Sequence, residues 1–133
     1  MGLFNIFKKK EPKTDEQLKL EYLWEMWRLE QVEEPYNTLM TYDNEMSKGG
    51  HIRFFLNIAY WGKVDKAVDN ICKDLPQVLK ENLQTAYSHY LVLINEENPE
   101  TENKIHECDK VFYDNEHLLI EIFQKYANEA IES

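Results

Sequence analysis

Apolar residues recur at three- and four-residue spacing along nearly the whole chain, and no stretch sustains the apolar/polar alternation of a half-buried strand. Leu18, Tyr22, Met26 and Leu29, flanked by Leu23, Trp24 and Trp27, predict a first helix with a broad apolar stripe. Thr14 or Asp15 can cap its start, and Glu33-Glu34-Pro35 ends it. Pro35 fits the first turn of a second helix, where a missing N–H costs nothing; that helix carries Leu39, Tyr42 and Met46 and stops at Gly49-Gly50. A third helix, from about His51 to Tyr60, is apolar on nearly every side through Ile52, Phe54, Phe55, Leu56 and Ile58, which places it at the centre of the core. Trp61-Gly62 closes it. Val64, Ala67, Val68 and Ile71 mark a fourth helix ending near Asp74. Leu75-Pro76 opens a fifth, with Val78, Leu79, Leu83, Ala86, Tyr90 and Leu91 on its inner stripe. Residues 95–103, polar and holding Pro99, read as a loop; Val111, Phe112, Leu118, Leu119, Ile122, Phe123 and Tyr126 define one or two final helices. The expected fold class is all-α, a compact bundle of about six helices with a helix–Gly-Gly–helix corner.

Composition supports one packed unit. With 133 residues, 43% of them hydrophobic, the chain can build one core but not two. The single helical domain spans 14–133, behind a tail at 1–13 that joins Leu3, Phe4 and Phe7 to Lys8, Lys9, Lys10 and Lys13. That tail reads as a frayed terminus or a weak membrane or partner anchor, too short for stable membrane association. Its apolar residues precede its lysines, the reverse of a secretory signal, and Ile6 stands where a myristoylation signal wants Ser or Thr. No window approaches the roughly 18 apolar residues of a membrane span. Cys72 and Cys108 form neither a CxxC pair nor a disulfide framework, so a reduced cytoplasm is the expected home.

The sequence lacks GxxxxGK[ST], GxGxxG and GxSxG, so phosphate cradles and nucleophile elbows have no support. Lys48, Ala86, Asn103 and Asp114 stand three residues before His51, His89, His106 and His117, so the Glu-x-x-His pairs of a helical di-metal site are missing. His106-x-Cys108-Asp109 is one metal-like triplet without a second pair, which a solvent-exposed helix face explains better. The cysteines suit half-buried small hydrophobes better than nucleophiles. No feature selects two of the 25 acids as an acid–base pair. An enzyme is not expected, nor a metal or other cofactor.

The most informative stretch runs Glu45-Met46-Ser47-Lys48-Gly49-Gly50-His51-Ile52-Arg53-Phe54-Phe55-Leu56-Asn57. Gly49 can take the left-handed conformation that stops a helix, and Gly50 permits close approach as the next one begins. The N–H groups opening that next helix want an acceptor, and Glu45, one turn back, is placed to provide it. Phe54 and Phe55 enter the core, while Asn57 is a polar residue that must find partners. A corner with its own hydrogen-bond support accounts for these residues. So does a small polar notch made by Glu45, His51, Arg53 and Asn57.

This stretch resembles the signature of the DNA mimic protein 19-like domain family, Glu-Val-x-Asn-Gly-Gly-Phe-x-Gln-Phe/Tyr-Phe-x-Asn. Glu45, Gly49, Gly50, Phe54, Phe55 and Asn57 match it; Lys48, His51 and Arg53 stand where Asn, Phe and Gln are usual. Looser likenesses are Trp27, Trp61-Gly62, and Phe112-Tyr113 followed by Leu118, Leu119 and Tyr126. The resemblance implies an all-α bacterial protein that could occupy the DNA-binding surface of a transcription factor by imitating duplex charge.

Charge bears on that implication. The formal net charge is −10, which argues against direct nucleic-acid binding and suits a basic protein partner. The tail carries +3, residues 14–95 carry −5, and residues 96–133 hold three lysines against eleven acids, or −8. Asp65 and Asp69 sit at i,i+4; Glu102, Glu107, Asp109 and Asp114 can continue an acidic row, since helical carboxylates at such spacing lie about 5–6 Å apart at Cβ. A solvated face would also explain them. Two function classes follow: a non-catalytic protein that binds a basic partner such as a transcription factor, and a small-molecule or peptide-binding module using the Glu45–Asn57 corner.

Overall fold

A computed structural model describes residues 12–131, and among these every regular element is a helix. There are five: α1 (Asp15–Arg28), α2 (Tyr36–Trp61), α3 (Val64–Cys72), α4 (Gln77–Leu93) and α5 (Pro99–Ala130). The tail reading falls largely on residues 1–11, which lie outside those described. No described helix is long and apolar enough to cross a membrane.

Thr14 and Gln17 form a capping box at the start of α1: Gln17 N–H donates to Thr14 Oγ1 at 3.1 Å, and Thr14 N–H to Gln17 Oε1 at 2.8 Å. The helix stops at Arg28, well before the expected Glu33-Glu34-Pro35. Glu30 takes positive φ (59°), Gln31 N–H reaches back to Met26 O at 2.8 Å, and Glu30 N–H to Trp27 O at 3.0 Å. These are the two bonds of a Schellman stop, made here without glycine. The buried stripe of α1 is also turned from the expected one. Leu23 is fully buried with Leu20, Trp24, Met26 and Trp27 packed beside the core, while Leu18, Tyr22 and Leu29 face solvent.

The expected second and third helices are one element. Within α2 only Gly50 leaves helical geometry (φ 77°, ψ −168°), so the segments before and after it remain joined end to end across a kink. Counted through that kink, the described residues form five helices, and the break itself falls within the expected glycine pair. The last part of α2 buries Phe54 and Phe55 but exposes Leu56, Tyr60 and Trp61, so it is not the all-round buried centre. The helix most of the others pack against is α5, itself buried along one face. It begins at Pro99, inside the segment expected as a loop, because Asn98 accepts from Glu100 N–H at 2.9 Å and Pro99 supplies a ready-made first turn. Running unbroken for 32 residues, about 48 Å, α5 packs against α1, α2 and α4. Its Ile105, Phe112, Leu119, Phe123 and Ala127 meet Leu23, Tyr42, Met46, Phe54, Phe55, Leu79 and Leu83 in one core. Val78 and Leu91, expected inward on α4, are partly in solvent. Asn82, buried on α4, ties that helix to α5 by donating to Cys108 O at 2.8 Å.

Candidate functional site

At Gly50 the chain needs a glycine twice over. Its positive φ disfavours any side chain, and a Cβ there would sit 2.4 Å from Asp109 Oδ2. The space it leaves admits the Asp109 carboxylate of α5, which accepts from His51 N–H (2.9 Å) and contacts His51 Nδ1 (2.7 Å) through Oδ1. His51 is fully buried, and its Nε2 lies 2.7 Å from Tyr42 Oη, also fully buried. Burial alone would raise the Asp109 pKa. The hydrogen bonds from the His51 side chain and backbone outweigh it and hold the carboxyl below its ordinary range. His51 Nδ1 thus faces a carboxylate, and its Nε2 meets the Tyr42 phenol. Burial, then the nearby Asp109 charge, push that phenol well above its usual range, so it stays protonated. The expected acceptor for the helix start, Glu45, is replaced by Asp109, 58 positions beyond His51.

The four-residue notch therefore divides. His51 points inward, while Glu45, Arg53 and Asn57 meet on the outside of the kink. Asn57 Nδ2 donates to Glu45 Oε2 at 2.5 Å, and Arg53 Nε approaches the same oxygen at 3.3 Å. Arg53 reaches it by lying across Gly49, where a Cβ would stand 2.6 Å from Arg53 Cδ. Among the described residues Glu45 Oε1 accepts no hydrogen bond, and the Glu45 side chain is only 15% exposed. Beside this cluster lies a groove of about 500 Å³, lined by Thr41, Glu45, Phe54, Asn57, Ile58, Trp61, Gly62, Lys63 and Ala67. That volume falls in the range of small-ligand sites, roughly 300–1,000 Å³. Its lining joins apolar surface from α2 and α3 to one carboxylate, one carboxamide, one hydroxyl and one ammonium group. Trp61, 85% exposed and edge-on to Tyr60 with ring centroids 5.0 Å apart, stands at its rim.

Of the expected acidic residues, Asp65, Asp69, Glu102, Glu107 and Asp114 are exposed. Asp109 is not a surface charge: its side chain is 13% exposed and engaged with His51. His106, its neighbour on α5, contacts it at 3.4 Å rather than completing a metal set, and no three potential metal-binding side chains converge among the described residues.

One pair escaped the sequence reading. Asp43 of α2 is almost fully buried, its Oδ1 has no partner among the described residues, and burial followed by hydrogen bonding and repulsion from Glu116 of α5 raises its pKa to about 8. Near neutral pH Asp43 therefore keeps its proton. The signal was there: Asp43 occupies the register of Leu39, Met46 and Gly50, a buried face.

Set against protein-family models, curated proteins and solved structures, the chain has no significant match, so the family likeness of the Glu45–Asn57 stretch rests on its own residues.

Proposed function

We propose that the protein is a non-catalytic binding module that seats an extended segment of a basic protein partner in the groove between α2 and α3. The observation that carries this reading is the junction at Glu45. There a largely covered carboxylate with one unpartnered oxygen borders an apolar surface of Phe54, Ile58 and Trp61. An apolar wall with a few convergent polar groups is the usual make-up of a recognition site. Glu45 and the net charge of −10 both select for a cationic ligand. A binding role without turnover also accounts for the Asp109–His51–Tyr42 chain. Its His and Tyr members are sealed in the core, beyond the reach of a substrate, and serve as support for the kink.

The exposed carboxylates favour a second reading, the one implied by the family resemblance, in which the acidic surface imitates duplex DNA before a transcription factor. Asp65 and Asp69 on α3, and Glu102, Glu107 and Asp114 on α5, stand in solvent as imitation requires. Asp109 ranks it second, because the row on α5 loses a central member to His51.

Titration of the full chain with capped Arg/Lys–Leu–Phe peptides, followed by amide shifts at low and high salt, separates the two. The groove reading expects shifts at Thr41, Asn57, Ile58, Trp61 and Ala67 that survive high salt and vanish in Asn57→Ala. Binding that collapses with salt and disappears in the Glu102→Gln/Glu107→Gln/Asp114→Asn triple variant, while Asn57→Ala leaves it intact, overturns the groove and installs the acidic face.

A further inference from the structure

We infer that Arg53 is a resident stand-in for the ligand's own basic side chain, and that the groove selects an arginine, flanked by an apolar residue, which takes the free oxygen of Glu45. This rests on the groove reading above and names the ligand group and the internal competitor of that site.

Three observations converge on it. First, Arg53 and Asn57 both hold Glu45 Oε2 while Oε1 stays unpartnered, so the carboxylate is half used. A carboxylate offers two oxygens in a plane, and a guanidinium fork matches both, whereas Arg53 approaches through Nε alone. Second, the resident contact is weak. Its 3.3 Å separation is long for a charge-assisted hydrogen bond, and the Arg53 side chain is 49% exposed, so solvent screens it. Asn57, at 2.5 Å, keeps Glu45 fixed when Arg53 leaves. Third, the groove supplies what Arg53 does not use. The indole of Trp61 lies open to solvent at the lining, and aromatic faces hold guanidinium planes better than ammonium groups. Lys63, also on the lining, is a donor suited to a backbone carbonyl or carboxylate of the same ligand.

Gly49 belongs to this arrangement. Its missing side chain is the space across which Arg53 reaches Glu45, and a methyl group there would press on Arg53 Cδ. Removing Arg53 or filling Gly49 should therefore act alike, by emptying the carboxylate for the incoming guanidinium.

The test is calorimetric titration of the full chain with the capped pentapeptide Gly-Phe-Arg-Leu-Gly and its lysine and norleucine counterparts. The arginine peptide is expected to bind at least tenfold tighter than the norleucine one and several-fold tighter than the lysine one. Arg53→Gln should tighten the arginine peptide about two- to five-fold, the range expected for lifting one exposed ion pair, and Gly49→Ala should move it the same way. Glu45→Gln should erase the preference for arginine over norleucine. Equal or weaker arginine binding in Arg53→Gln, with the groove amides still shifting, overturns the stand-in while the groove reading survives. No shift at the groove amides with any of the three peptides overturns both.

Discussion

Replacing Gly50 with alanine tests the kink most directly, because two separate costs fall on one methyl group. At φ 77° and ψ −168° the residue occupies a region that is essentially reserved for glycine, where a side chain costs about 1–3 kcal/mol. The new Cβ would also stand 2.4 Å from Asp109 Oδ2, so the carboxylate must withdraw and strip the His51 N–H of its acceptor. Leaving a buried donor unsatisfied costs about 1–3 kcal/mol more. The expected loss is about 2–6 kcal/mol, a large share of the roughly 5–15 kcal/mol that holds a domain of this size together. Gly49→Ala is the control. Its backbone is helical, and its closest clash is with the Cδ of a half-exposed arginine that can swing aside. Alanine's better helix propensity, about 1 kcal/mol, offsets much of the residual crowding against Arg53 Cβ at 3.0 Å, so a change within about 1 kcal/mol is expected. Urea unfolding followed by circular dichroism gives both values from midpoints at constant slope. A Gly50→Ala protein within about 0.5 kcal/mol of the parent, or a Gly49→Ala protein that loses as much as Gly50→Ala, would refute the account.

Three further outcomes are expected. Asp43 has a raised pKa, so the folded state holds its proton more tightly than the unfolded chain does; its stabilising share is complete below about pH 4 and drains away as pH rises toward about 8. Asp43→Asn, permanently neutral, should gain on the parent progressively from pH 5 to pH 9, and parallel stability curves would contradict the raised pKa. Asp109 works in the opposite sense: its lowered pKa adds stability above the ordinary carboxylate pKa that is lost as pH falls through the folded value. Asp109→Asn should cost about 1–3 kcal/mol near neutrality and shrink the acid-side difference, whereas a surface carboxylate would show neither effect. Cys72 and Cys108 are buried, and burial raises both thiol pKa values, so a disulfide reagent should titrate them only at the rate of unfolding; rapid labelling of either thiol in the native protein would place it at the surface.

Several features carried by short-range spacing were legible in the sequence alone. The all-helical class, a cap for α1 at Thr14 or Asp15, the interruption at the glycine pair and the inward direction of Phe54 and Phe55 all follow from residues within a turn or two of one another. What it left open needed partners far along the chain. Either glycine could have been the break; Gly50 is chosen because Asp109, 58 residues beyond His51, fills the space beside it. The same contact withdraws Asp109 from the acidic face, which no local count of charge could show. Arg28 rather than Glu34 ends α1 because Glu30 accepts positive φ, a conformation that the sequence signals only when glycine or asparagine stands there. The polar corner residues were legible as a set. Their division into a buried His51 and an outward Glu45–Arg53–Asn57 group was not. Periodicity assigns a residue to a helix, but only the packing of α5 across the kink decides which side of α2 becomes the inside.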